Sequence, residues 1–88
     1  MSKQEAEQRV PAHTLGSLQR YIEQRIAPGA FLTAVLGNDL KRAFGSADEW
    51  NRQAMHDIVF YLYNYAPSAC WGSYDKVTQW LHPEVTND

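Results

Sequence analysis

The sequence predicts an all-α domain, a small four-helix bundle-like fold, and three observations lead there. Apolar residues recur at steps of three and four through most of the chain. Serine, glycine and proline punctuate the periodic stretches where helices start and stop. No strand pattern outlasts a single short run, because Phe31–Leu36 continues at helical spacing through Leu40 and Phe44. At 88 residues the chain supports one hydrophobic core and not two. With 44% hydrophobic and 12% aromatic residues, its composition is that of a globular protein and not a disordered one.

Residues 1–9 are polar with no apolar period and read as a flexible leader. They leave residues 10–82 as a single helical domain and 83–88 as a flexible tail. From Pro11, which suits a first helical turn, Leu15, Leu18, Ile22 and Ile26 fall on one helix face, and Pro28-Gly29 forces the chain to turn. A second helix spans Ala30 to Phe44 and stops at Gly45. Gly37 inside it costs about 1 kcal/mol relative to alanine. It either lets a neighbour approach closely or is a tolerated kink before Asn38.

Ser46-Ala47-Asp48-Glu49 reads as a capping box, in which serine and glutamate satisfy orphan amides reciprocally. It starts a third helix whose apolar stripe, Trp50, Ala54, Ile58, Tyr61, Leu62 and Tyr65, runs to Ala66-Pro67. Ser73 caps a last helix over Tyr74–Leu81, with Val77, Trp80 and Leu81 inward and Pro83 beyond its end.

Charge and composition narrow the function classes. A net charge of −2 leaves no electrostatic footprint for nucleic acid or an anionic membrane surface. No apolar run approaches the roughly 20 residues a membrane span needs, and the polar opening lacks a signal peptide's apolar core. The cytoplasm is the expected compartment. Cys70 is the only cysteine, which excludes an internal disulfide and a multi-cysteine metal site.

His13, His56 and His82 lie on different predicted elements without H-x-x-x-H spacing, so no metal is expected. Cys70 and His56 have the chemistry of a nucleophile and base. No oxyanion-binding glycine motif surrounds the thiol, however, and between Ala69 and Trp71 it reads as a small packed hydrophobe. The expectation is a protein with no catalytic residue and no cofactor.

Two surfaces remain. Asn38-Asp39 is a polar pair inside an apolar helix, followed by Lys41-Arg42, and reads either as a contact patch or as a solvated face. Tyr61, Tyr63, Tyr65, Trp71 and Tyr74 place five amphipathic rings within 14 residues, a density suited to a binding surface. The candidate binding residues are therefore Asn38, Asp39, Arg42, Tyr61, Asn64, Tyr65, Trp71 and Tyr74. A small domain cannot bury rings on several faces of its third helix, so a homodimer through the region of Phe60 and Tyr63 is expected.

The stretch Ile26–Leu40, IAPGAFLTAVLGNDL, resembles the I-P-P-G-x-F-L-x-A-V-L-x-N-D-L block of a family of small uncharacterised proteins from tailed bacteriophages and prophages. Tyr63–Ser73, YNYAPSACWGS, is similar to that family's Y-N-x-x-P-x-x-C-W-G-S block, and the match runs from about Val10 to Leu81. Ala27 departs from the pattern, where a second proline is usual. The motifs specify the family and carry no activity.

What the resemblance implies is a phage accessory protein acting inside a bacterium. The reading it favours is a non-enzymatic protein that binds and modulates a host protein, with a defence-system component as the expected partner class. The alternative is an oligomeric sponge that holds a small nucleotide-like ligand between aromatic rings and Lys41, Arg42 or Arg52.

Overall fold

The first helix forms where no apolar period predicts one. In a computed structural model, which describes residues 2–84, the Ser2 hydroxyl accepts the Glu5 N–H and starts α1, Lys3–Arg9. This segment was expected to be a flexible leader; instead it lies against a later helix with Ala6 and Val10 buried. Ala6 and Val10, four residues apart, supply its buried apolar side chains. The Gln19 amide, donating to Glu7 at 3.1 Å, adds a polar tie.

Helix α2, Ala12–Gln24, follows Pro11 and ends at Arg25, whose left-handed φ of 57° lets its N–H and that of Ile26 cap the carbonyls of Tyr21 and Arg20. Thr14, Leu18 and Tyr21 are buried, while Leu15 and Ile22 are half-buried. Ile26 lies past the helix end and is exposed, so the inward face is rotated from the expected one.

The expected helix over Ala30–Phe44 is two helices, α3 (Ala30–Leu36) and α4 (Leu40–Ser46). Gly37 closes α3, Asn38 takes a left-handed φ of 60°, and Asp39 restarts the chain by accepting the Arg42 N–H at 3.2 Å. Asparagine tolerates that backbone region better than most residues, and aspartate is a strong helix cap. The expected third helix is also two, α5 (Glu49–Gln53) and α6 (Met55–Tyr65), bent at Ala54, where ψ is 7°.

Asp48 caps α5, accepting the Asn51 N–H at 2.7 Å; Ser46 belongs to the end of α4 and makes no capping box. The bend shifts the phase of the apolar stripe. Trp50, expected inside, is 68% exposed, whereas Asn51 is buried and accepts a hydrogen bond from the Thr14 hydroxyl. A 3-10 turn, Ser68–Cys70, leads to α7, Tyr74–Leu81, where Ser73 accepts the Lys76 N–H as expected.

The described residues thus make an all-helical domain of seven α-helices with no strand, around a core centred on Leu18, Tyr21, Leu36, Ile58, Leu62 and Cys70. Polar ties cross that core. The Tyr21 hydroxyl donates to the Cys70 carbonyl at 2.7 Å, and the Trp80 indole N–H donates to the Tyr21 carbonyl at 2.9 Å. The Arg25 guanidinium lies 3.8 Å over the Trp80 ring and also donates to the Trp80 carbonyl. Among the described residues, every buried side-chain nitrogen and oxygen has a partner, as a stable interior requires. No described helix is long and apolar enough to cross a membrane. Of the expected tail, residues 83–84 form a turn and residues 85–88 lie outside the described residues.

Candidate functional site

The α3–α4 corner and the start of α7 come together through backbone geometry. Gly72 has a φ of 121°, a conformation that side-chain-bearing residues rarely adopt, and its N–H donates to the Leu36 carbonyl at 2.7 Å. This bond brings the Trp71-Gly72-Ser73 turn against the end of α3. Tyr74, the first residue of α7, then lays its ring over Gly37, where a Cβ would lie 2.6 Å from two ring carbons. Only glycine leaves room there.

The Tyr74 hydroxyl donates to the Asp39 carboxylate at 2.6 Å. That bond, together with the Arg42 backbone N–H, holds the Asp39 carboxyl below its ordinary range and raises the Tyr74 phenol. The Arg42 guanidinium adds a contact at 3.7 Å, but it is largely solvated and contributes little. Asp39 therefore does two jobs, capping α4 and anchoring α7.

Asn38, Asp39, Arg42 and Tyr74, read from separate parts of the sequence, are thereby placed at one corner, with half-buried Trp71 in the adjoining turn. The two blocks that carried the family resemblance meet at this corner. Beside it on α4, Leu40 and Phe44 are one turn apart and 68% and 42% exposed. The helical spacing that joined them to Phe31–Leu36 does not carry them into the core. The break at residues 37–39 turns α4 so that Ala43 is the buried position of that helix.

The five aromatic rings do not form one surface. Tyr61 is buried in the core, its ring 5.9 Å from that of half-buried Tyr65. Burial first, and then the nearby Glu7 and Glu23 carboxylates, raise the Tyr61 phenol. Tyr63 and Asn64 lie on the outer side of α6, where the Asn64 amide donates back to the Phe60 carbonyl at 2.9 Å.

Cys70 is fully buried, and burial pushes its thiol up to about 11, opposite to what a nucleophile needs. Among the described residues no group of three or more His, Cys, Asp or Glu side chains could hold a metal ion.

Periodicity gave no sign of an open groove of about 870 Å³ between α1, the start of α2, α5 and the start of α6, with Glu7, Arg9, His13, Trp50 and Asp57 on its walls. His13 stands 3.5 Å from Asp48 at its edge, both largely solvated. The groove exists because the leader is a helix and the bend at Ala54 turns Trp50 outward. Compared with known proteins, the chain matches no family model, no curated protein and no solved structure.

Proposed function

We propose that the chain is a non-enzymatic accessory protein of phage type that binds and modulates a host bacterial protein in the cytoplasm, with a defence-system component as the partner class. On this reading α2, α3–α4, α5–α6 and α7 make a four-helix bundle-like arrangement, to which α1, packed on α6, adds a fifth piece. The observation that supports the reading is the α4–α7 corner. Leu40, Phe44 and Tyr74 are exposed there on a backbone held by the Gly72–Leu36 and Tyr74–Asp39 bonds. A backbone already held in place needs no further ordering when a partner covers its exposed side chains, so only their rotamers are immobilised.

A photo-crosslinking residue at position 40 or 44, expressed in host cells, tests the reading. One host protein should be captured from both positions, and far less from exposed Gln79 on α7. Equal capture at all three positions, or none at the corner, overturns the assignment. A thermal shift with a cyclic nucleotide and no captured protein would replace it with the ligand-sponge alternative.

A further inference from the structure

Charge marks the kind of surface that covers the exposed apolar pair of α4. The helix reads Leu-Lys-Arg-Ala-Phe-Gly-Ser, with two cations and no carboxylate, in a chain of net charge −2. Ala43 is its buried position, and Leu40, Lys41, Arg42 and Phe44 are exposed. At about 100° per residue, Lys41 flanks the ridge of Leu40 and Phe44 on the side opposite Ala43, whereas Arg42 lies behind it.

Lys41 has no ion-pair partner. The carboxylate at this turn, Asp39, already accepts the Tyr74 hydroxyl and the Arg42 N–H, and the Arg42 guanidinium stands 3.7 Å from it. Among the described residues no carboxylate lies within ion-pair distance of the Lys41 amine. Asp75 and Lys76, both exposed beside Tyr74, offset each other. Helix stability gives no reason for the cation either, because Lys41 stands in the first turn of α4, where aligned peptide dipoles favour an acid.

Two apolar side chains one turn apart, with a cation at their flank, suit a helix that enters an apolar groove rimmed by carboxylates. Phosphate is the poorer complement, since a nucleic acid would bury Leu40 and Phe44 against its own charged backbone.

We infer that α4 is the element a host protein receives: Leu40 and Phe44 enter an apolar groove of that protein, and Lys41 pairs with an Asp or Glu on the groove's rim. This contact rests on the corner reading above and adds the partner's chemistry to it. A rim pair of this kind acts on the association rate and on the choice of partner.

Binding kinetics of the full chain with the host protein captured from positions 40 and 44 test it. Lys41→Glu should slow association at least about tenfold, and Lys41→Arg, which keeps the charge, should restore most of the rate. The thermal midpoint of Lys41→Glu should stay at or above that of wild type, which separates lost binding from lost folding. Raising salt from about 0.05 to about 0.5 M should slow wild-type association and leave that of Lys41→Glu unslowed. In the wild-type complex a carbodiimide should couple the Lys41 amine to an Asp or Glu of the captured protein. Association of Lys41→Glu at the wild-type rate, or absence of that coupling, overturns the inference and leaves the corner as a binding surface. Binding of a DNA duplex by wild type that Lys41→Glu abolishes assigns the cation to nucleic acid and overturns it as well. Failure of capture at both positions overturns this inference together with the reading it rests on.

Discussion

Replacing Gly37 by alanine puts a methyl group where the Tyr74 ring already stands. The new Cβ would lie 2.6 Å from two ring carbons and 3.0 Å from a third, against roughly 3.5–4.0 Å for a relaxed carbon contact. The ring must retreat by about 1 Å, and that movement breaks the 2.6 Å bond from its hydroxyl to Asp39. Overpacking of this kind costs about 1–3 kcal/mol. The backbone itself suits alanine, with φ −77° and ψ 0°, so the usual gain of about 0.4–1 kcal/mol from a stiffer unfolded chain is available.

Because the Tyr74 ring is 41% exposed and free to swing outward, the net loss should fall near the low end, about 1 kcal/mol. In a Tyr74→Ala background the obstacle is gone and the same Gly37→Ala change should stabilise by about 0.4–1 kcal/mol. Urea midpoints at constant slope measure both arms of this cycle. NMR titration of the Asp39 carboxyl adds a second readout, since its pKa should return toward 3.8 once the tyrosine withdraws. A Gly37→Ala protein at least as stable as wild type, with an unmoved Asp39 titration, would refute the close approach.

Other perturbations reach other parts of the fold. Tyr21→Phe leaves the buried Cys70 carbonyl without its donor and should lose about 1–3 kcal/mol in urea unfolding. Cys70, with its thiol pushed up to about 11, should be inert to a disulfide reagent near pH 8 and react only as fast as the whole domain opens. The Asp39–Tyr74 bond should make stability depend on pH at both ends. The lowered Asp39 pKa contributes stability that is full above 3.8 and lost as pH falls through the folded value. The raised Tyr74 pKa contributes stability that is full below 10.0 and lost as pH climbs past it. Thermal midpoints of wild type and Tyr74→Phe should therefore differ near neutrality and converge toward acid and alkali.

Helix α7 was legible residue by residue, because its signals are local: a serine cap, three apolar positions and a proline beyond. The helical class was legible for the same reason. The break at residues 37–39 was not, since glycine, asparagine and aspartate are each tolerated in a helix. Asn38 in a left-handed cap and Asp39 as a new helix cap set the break locally, but the apolar spacing continues through it, and the bond from Gly72 to Leu36, 36 residues away, that packs against it has no local signal. Ala54 carries no breaker signal at all, and the bend there put Trp50 outside and Asn51 inside against the expected stripe. The leader hid its packing because only Ala6 and Val10 are buried there, too few to register as a period.

At the corner, Asn38, Asp39, Arg42 and Tyr74 were named from two stretches of sequence. Their meeting depends on the tertiary pairing of Asp39 with Tyr74, which no spacing reveals. Tyr61 was read both as part of the apolar stripe and as one of five clustered rings, and its burial agrees with the stripe.

The central claim is that the α4–α7 corner is a protein-binding surface. Titration calorimetry of the host protein captured from positions 40 and 44 against wild type and a Leu40→Glu, Phe44→Glu variant tests it most directly. Both side chains are exposed, so the variant should keep its fold. The account predicts at least a hundredfold weaker binding by the variant, which corresponds to about 2.7 kcal/mol. A correctly folded variant that binds with wild-type affinity would contradict it.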